Sequence, residues 1–210
     1  PGTADEDDLY MIVKRTVNGS TVRYIEYLSN YEFGTDIKDA YFVDCGLTYS
    51  GTAATSISGL THLEGEKIVV LGDGATHPDR TVASGGITLA RSVKKAHIGF
   101  NYKSTLQTMR IDAGGTEGTS QGKNKRINNI TLRLYKSVGV KVGSSEAELD
   151  LIPFRSSADD MDEALGMFTG DKEVEFRGGY DNDGFVFVRQ DQPLPLTVLA
   201  IFPRLQTFDQ

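Results

Sequence analysis

Residues 9–28 have the sequence LYMIVKRTVNGSTVRYIEYL. The stretch is rich in β-branched and aromatic residues on both sides of Asn18-Gly19, as is typical of β-strands. Asn-Gly readily adopts the positive φ angles that a two-residue hairpin turn requires. The stretch therefore predicts a β-hairpin, and it makes the strand the expected building unit of the chain.

Short apolar segments separated by glycine-containing turns continue over residues 41–102. The predicted strands are Tyr41–Val43, Ala54–Ile57, Lys67–Leu71, Gly86–Leu89 and His97–Tyr102. They recur at intervals of about ten residues, which is the spacing of all-β meanders. We expect a small barrel or sandwich over residues 41–105, separated from the hairpin by a polar loop over 30–40.

The remaining residues predict a second antiparallel β portion over 106–210. Ile130, Leu132 and Leu134 alternate with polar residues, as in a strand with one face in water. Ser157 with Asp160 resembles a capping box, so we expect a short helix within 144–168. Three strands are expected near the end of the chain, and the third is expected to be buried: Glu173–Phe176, Phe185–Arg189 and Leu196–Phe202. The expected fold class is all-β with little helix, divided into a hairpin region (1–40), a barrel-like subdomain (41–105) and a second β subdomain (106–210).

Composition narrows the classes of function. The chain has 210 residues, of which 39% are hydrophobic and 24% charged, as in soluble globular proteins. Its longest apolar stretch is far shorter than the roughly 20 residues of a spanning helix, so no membrane span is expected. A net charge of -7 argues against a general nucleic-acid binder. The single cysteine, Cys45, excludes an internal disulfide and a thiolate metal cluster.

The usual nucleotide and metal patterns fail on spacing. Gly122-Lys123 is preceded by Glu117 and followed by Asn124 where a phosphate-binding loop requires glycine and a hydroxyl residue. Residues 181–184 resemble a calcium loop, but Gln190 stands where the bidentate glutamate is required, so a turn is expected there. The three histidines lack ligand spacing. We therefore predict no cofactor and no metal site.

An acidic group could in principle supply the paired carboxylates of a glycoside hydrolase. Its members are Asp159, Asp160, Asp162 and Glu163. The chain has no tryptophan to line a sugar cleft, and a charge run on a short element is normally solvated. A hydrolase acting on cell-envelope sugars is kept as an alternative, but we do not expect an enzyme.

The positive charge is concentrated in Lys123, Lys125 and Arg126, followed by Arg133, Lys136 and Lys141. Lys123, Lys125 and Arg126 are candidate interface residues that would contact an acidic neighbouring subunit or DNA. The alternative is a solubilising strand edge, because lysines commonly protect exposed edges from pairing.

Several segments carry a resemblance to a known protein family. They are Val13–Gly19, Val22–Glu26, Asp44–Tyr49, Gly59–Glu66, Gln121–Arg126, Phe168–Val174 and Arg189–Leu199. With these segments the chain, from about Leu9 to Pro203, resembles the C-terminal part of tail-nozzle or tail-tube proteins of short-tailed phages. Some members of that family are likened to a small β domain of ubiquitin-activating enzymes, which implies a shared fold and no ubiquitin chemistry.

The resemblance implies a virion structural protein, of a phage or prophage, that is made in the host bacterial cytoplasm. It implies homo-oligomers, contacts with other tail proteins and a passing contact with phage DNA. A propeller-like region would precede the hairpin in such a protein, and the start at Pro1-Gly2 leads us to expect an excised segment. The expected function is subunit assembly of the tail ring or conduit. A module that recognises host-surface carbohydrate or a tail fibre is the alternative.

Overall fold

A computed structural model describes residues 8–112, 114–115, 118–161 and 163–208. The chain is all-β, and every paired strand runs antiparallel to its neighbours, which confirms the predicted fold class. Within the described ranges the helical elements are two single 3₁₀ turns, Ile37–Asp39 and Thr61–Leu63. The described strands do not close into a barrel.

The chain divides into two compact units. The first comprises the residues up to Tyr102 with Gln192–Leu194, and the second comprises Lys103–Asp191 with the residues from Pro195 onward. The hairpin belongs to the first unit. The division after Tyr102 lies close to the boundary expected after residue 105.

The first unit contains a hairpin and a four-stranded sheet. Its strands are β1 (Tyr10–Val17), β2 (Ser20–Tyr27), β3 (Asp44–Ser58), β4 (Lys67–Gly72), β5 (Ala75–Thr81) and β6 (Gly86–Phe100). Strands β1 and β2 pair from Tyr10 opposite Tyr27 to Val17 opposite Ser20. The sheet order is β3-β6-β4-β5. Its core is formed by residues such as Leu60, Leu63 and Ile98, which are completely buried.

Two long strands replace the short ones that the sequence predicts. Tyr41–Val43 is not a strand, whereas the predicted Ala54–Ile57 is only the end of β3, and Gly86–Leu89 with His97–Phe100 belongs to a single β6. Gly46 lies inside β3, where a β-carbon would be 2.5 Å from the carbonyl oxygen of Ile98. Glycine at this position allows the close approach of β6 and does not form a turn. The pairing of β3 with β6 contains register shifts of the kind that β-bulges produce.

The described part of the second unit contains nine strands. They are β7 (Ser104–Gln107), β8 (Gly114–Gly115), β9 (Gly118–Thr119), β10 (Asn124–Ser137), β11 (Lys141–Ser145), β12 (Glu148–Leu151), β13 (Phe168–Glu175), β14 (Phe187–Gln190) and β15 (Thr197–Phe208). They form sheets of order β13-β10-β15 and β12-β11-β14-β7, with β8 and β9 as a separate pair. Residues 113, 116 and 117, which flank β8 and β9, lie outside the described residues.

The alternating apolar positions of β10 enter the core as predicted. Ile130, Leu132 and Leu134 are completely buried and pack with Val140 and Val186. The buried strand predicted over Leu196–Phe202 is only half-buried, because Leu199 is 60% and Phe202 45% exposed. β15 is an edge strand of its sheet, and its side chains at Leu199 and Phe202 reach solvent.

The short helix predicted from Ser157 and Asp160 is wrong. Strand β12 lies within 144–168, and turns follow it in the described residues. The backbone N–H of Ser156 donates to Oδ2 of Asp159, and that of Ala158 donates to Oγ of Ser156. These local side-chain bonds satisfy the backbone in a turn and compete with helical hydrogen bonding.

Candidate interaction surface

The three predicted interface residues do not share one surface. Lys125 is 1% exposed. Its Nζ donates to Oδ1 of Asp112 at 2.5 Å and to the carbonyl oxygen of Asn182 at 3.1 Å. The backbone of Lys125 also exchanges two 2.8 Å hydrogen bonds with that of Asp181. Lys125 is therefore an internal residue of the second unit, and not the exposed interface residue that the sequence predicts.

Arg126, next in sequence, points the other way because successive side chains of a strand alternate between faces. Its guanidinium lies 5.7 Å from the ring centroid of Tyr180, and Tyr180 meets Phe208 edge to face at 5.1 Å. Tyr180 is 58% and Phe208 42% exposed. Lys123 is half-buried in the preceding turn. Arg126 stays a predicted contact residue, now as part of an exposed aromatic and cationic cluster.

The remaining basic residues are largely neutralised by acids of the same unit. Arg133 forms a bidentate ion pair with Asp171, with N···O distances of 2.7 and 2.8 Å. This pair lowers the pKa of Asp171 and raises that of Arg133. Lys141 pairs with Asp191 at 2.5 Å. The positive surface predicted over 123–141 is thus smaller than the sequence suggests.

An arginine on the inner face of the hairpin fixes it to the four-stranded sheet. The guanidinium of Arg15 bonds both oxygens of Glu26 at 2.7 Å and both oxygens of Asp44 at 2.7 and 2.8 Å. Hydrogen bonding to Arg15 is the main cause that lowers the pKa of Glu26. Since Asp44 begins β3, this one side chain joins both hairpin strands to the sheet.

Two further hydrogen bonds attach the hairpin to the rest of the first unit. The phenol of Tyr24 donates to the carbonyl oxygen of His62 at 2.7 Å, and the backbone N–H of Asn18 donates to Oε1 of Glu66 at 2.7 Å. The hairpin is therefore attached at its middle and at its turn. A two-stranded hairpin alone is marginal in water, so these attachments are needed to hold its shape.

Cys45 follows Asp44 and is half-buried under the same cluster. Burial, reinforced by the neighbouring Glu26 carboxylate, raises the pKa of the Cys45 thiol to about 12. A nucleophilic cysteine needs the opposite shift, which a nearby cation or base would provide. The thiol is therefore a structural group in this environment.

The outer face of the hairpin is apolar at the end away from the turn. Ile12 is 77% and Ile25 78% exposed, and Tyr10 and Tyr27 are each 61% exposed. Ile12 lies opposite Ile25, and Tyr10 lies opposite Tyr27 with ring centroids 6.2 Å apart. These four side chains form a continuous patch, which we call the outer hairpin patch. The outer hairpin patch is visible in the sequence as a symmetric pattern, since both strands place the same residue types at equal distances from Asn18-Gly19.

Asp162, one member of the acidic group around residue 160, lies outside the described residues. Asp159 accepts a hydrogen bond from the Ser156 backbone, which is the main cause that lowers its pKa. Arg155 donates to the carbonyl oxygens of Asp160 and Glu163 and not to their carboxylates. A general acid of a glycosidase needs a raised pKa, so Asp159 is poorly suited to that role.

Comparison with known proteins does not assign a family. No family model matches the chain, and no curated protein sequence matches it significantly. The described residues hold no group of three or more histidine, cysteine or acidic side chains arranged to bind a metal. Among the described helical turns, none has the length and apolar character needed to span a membrane.

Proposed function

We propose that this chain is a structural domain of a phage tail component and mediates subunit assembly of a tail ring or conduit. The observation that supports the proposal most directly is the outer hairpin patch on a hairpin that Arg15 fixes in place. Contiguous exposed apolar surface on a soluble protein marks interaction sites. The segments that resemble tail-nozzle proteins include Val13–Gly19 and Val22–Glu26, which lie in this hairpin, and this resemblance supports assembly within a tail.

The patch is large enough to matter for association. Burying one exposed isoleucine side chain contributes roughly 1.5–3 kcal/mol. Ile12 and Ile25 lie directly opposite each other, so a single partner surface covers both. Because the hairpin is already ordered, a partner does not have to supply the free energy for ordering it.

The test uses the complete tail protein carrying Ile12→Thr and Ile25→Thr. Threonine keeps the β-branched shape and removes apolar contact, so the strands are retained while the patch is lost. We expect incorporation into assembled tails, measured by cryo-microscopy and co-purification, to fall at least tenfold. Leu151→Thr is the control, since Leu151 is 56% exposed on β12 of the other unit. Normal incorporation of the double variant would refute the proposed role of the hairpin.

A second candidate function is a module that binds host-surface carbohydrate or a tail fibre. It is favoured by the exposed rings of Tyr180 and Phe208 beside Arg126, because exposed aromatic faces suit sugar stacking. Titration with bacterial surface polysaccharides tests it. Saturable binding that Tyr180→Ala abolishes would establish this function, and the absence of binding to any envelope polysaccharide of the host would remove it.

A further inference from the structure

The backbone of the hairpin offers hydrogen bonds at both of its edges. The N–H of Leu28 donates to the carbonyl oxygen of Leu9, so this pair is a hydrogen-bonded one. Hydrogen-bonded and non-hydrogen-bonded pairs alternate along an antiparallel ladder. Tyr10, Ile12, Lys14 and Thr16 are therefore in non-hydrogen-bonded pairs, and their own N–H and C=O groups point away from β2. Neither β1 nor β2 pairs with another strand in the part of the chain that the structure describes.

The residues with outward backbone groups are also those of the outer face. From the open end to the turn, β1 carries Tyr10, Ile12, Lys14 and Thr16, and β2 carries in the same order Tyr27, Ile25, Arg23 and Thr21. The facing pairs are thus tyrosine with tyrosine, isoleucine with isoleucine, cation with cation and threonine with threonine. A strand added at either edge would meet the same order of side chains.

The facing cations indicate the charge of that strand. Lys14 lies directly opposite Arg23 in a non-hydrogen-bonded pair, the arrangement that brings side chains closest. Like charges placed opposite each other destabilise a sheet. Both side chains are exposed, and neither forms an ion pair with an acid of the described residues. A carboxylate on an added strand would relieve this repulsion.

We propose that an edge of the hairpin binds a β-strand of another polypeptide that carries apolar residues opposite the tyrosine and isoleucine and a carboxylate opposite the cation. This inference rests on the proposed assembly function and names the chemistry of its partner. Main-chain hydrogen bonds give such strand addition its affinity, and alternate side chains give it specificity. The partner strand has the pattern apolar, x, apolar, x, acidic, counted from the open end of the hairpin.

A polypeptide fits this surface better than a nucleic acid does. Single strands of DNA need a groove of positive charge with freely accessible ring faces. On the outer face of the hairpin, the two cations lie on the turn side of the aliphatic pair Ile12 and Ile25. Tyr10 and Tyr27 lie on its other side and pack against each other. The chain as a whole carries a net charge of -7. Oligothymidylate serves as the nucleic-acid arm of the test.

The test titrates the chain with capped synthetic strands and follows the backbone amide shifts of both hairpin strands by NMR. The probe for the β1 edge reads Thr-Ser-Glu-Ser-Val-Ser-Tyr from its N-terminus, which places its glutamate opposite Lys14 in antiparallel pairing. The reversed sequence is the corresponding probe for the β2 edge and is titrated in parallel. A second probe has lysine in place of glutamate, and a third has serine in place of valine. We expect the glutamate probe to bind about fivefold or more tightly than the lysine probe, because opposite and like cross-strand charges differ in sign.

Charge reversal on the protein provides the decisive comparison. Lys14→Glu with Arg23→Glu is expected to invert the preference between the glutamate and lysine probes. Lys94→Glu with Lys103→Glu changes the net charge equally at exposed positions elsewhere and is expected to leave the preference unchanged. The inference is overturned if no probe shifts the hairpin amides, if the preference is not inverted, or if oligothymidylate binds in place of the peptides. If the inference fails while Ile12→Thr with Ile25→Thr still blocks tail assembly, the proposed function stands and only the partner chemistry is wrong.

Discussion

At the scale of single residues, the turn of the hairpin depends on backbone angles that most side chains avoid. Asn18 has φ 47° and Gly19 has φ 73°, as a two-residue turn with both central residues left-handed requires. A β-carbon on Gly19 would have no atom within 4 Å, so a substitution there meets strain and no collision. A substitution at Gly19 therefore tests the turn geometry that the sequence predicts without introducing a steric collision.

We expect Gly19→Val to lower the free energy of unfolding by roughly 1–3 kcal/mol, because a β-branched residue is strained at positive φ. Chemical denaturation monitored by circular dichroism measures the change. Gly166→Val is the control, since Gly166 also faces open space and does not have a positive φ. An equal effect of both substitutions would show that the turn is not strained by valine.

Lys125 supports a second prediction at this scale. Its side chain is fully buried and paired with Asp112, whose side chain is 28% exposed. Removing one member of a buried pair leaves an uncompensated charge at a cost of about 3–5 kcal/mol, and partial exposure of Asp112 reduces that cost to about 2–3 kcal/mol. We expect this loss for Lys125→Met in equilibrium unfolding, and partial recovery when Asp112→Asn is added.

The matched control for Lys125→Met is Lys67→Met. Lys67 pairs with Asp79 at 2.8 Å, but its side chain is 73% exposed. Exposed pairs contribute about 0–1 kcal/mol, so this substitution is expected to be nearly neutral. Equal losses for the two variants would contradict the internal role of Lys125. The run Lys123–Arg126 shows why sequence alone misplaces such residues: strand alternation states that neighbours face opposite sides, but it does not state which side is the core.

At the scale of elements, the attachment of the hairpin to β3 makes stability depend on pH. The pKa of Glu26 is lowered mainly by its hydrogen bonds to Arg15. A carboxyl group whose pKa is lower in the folded state stabilises the fold above its ordinary value of about 4.3, and this contribution is lost as the pH falls through the lowered value. The hairpin attachment should therefore weaken in acid and stay constant from pH 6 to 8.

We expect Glu26→Gln to reduce the free energy of unfolding by about 1–3 kcal/mol at pH 7, the size of a charged hydrogen bond, and by little near pH 2. Denaturant titrations over this range measure the difference. Glu173→Gln is the control, because Glu173 is 52% exposed and lies 3.6 Å from Arg204. A deficit for Glu26→Gln that persists unchanged at low pH would contradict the linkage to this carboxylate.

The hairpin, β4 and β10 could be predicted from sequence because each depends on local signals. Asn18-Gly19 sets the turn, and strict alternation sets β10. The long strands β3 and β6 could not be predicted, since Gly46 marks a close approach to Ile98 that only the folded chain reveals. β5 was missed because Pro78 lies within it, yet β5 is an edge strand, where proline is tolerated.

The outer hairpin patch was also present in the sequence as a pattern. Tyr10, Ile12, Ile25 and Tyr27 occupy the positions that alternation assigns to one face. Which of the two faces meets the rest of the protein depends on Arg15 reaching Asp44, a contact between residues distant in sequence. The sequence therefore identifies the residues of the outer hairpin patch. Only the tertiary structure shows that this face, and not the opposite one, is exposed to solvent.

At the scale of the whole molecule, the proposed tail function predicts different assembly for this chain and for a longer protein. A closed ring uses head-to-tail contacts, so each subunit presents two different complementary patches. In this proposal the outer hairpin patch supplies one of these patches, and a net charge of -7 makes copies of the chain repel one another. We expect this chain alone to be monomeric or weakly associating and the complete tail protein to form a ring.

Light scattering over a hundredfold range of concentration measures the mass of each protein. A stable ring from this chain alone would place all ring contacts within its 210 residues. A complete protein that remains monomeric beside its tail partners would leave the tail-ring proposal without support.

The single cysteine gives this fold a built-in reporter of local opening. Cys45 lies beneath the hairpin, and its thiol, with a pKa of about 12, is almost wholly protonated at neutral pH. Burial therefore suppresses the reactive thiolate, so alkylating reagents are expected to react faster when the hairpin detaches from the sheet. The rate of alkylation then follows the equilibrium between attached and detached hairpin, a motion far smaller than global unfolding. One thiol therefore reports the attachment of the hairpin to the sheet without an added probe.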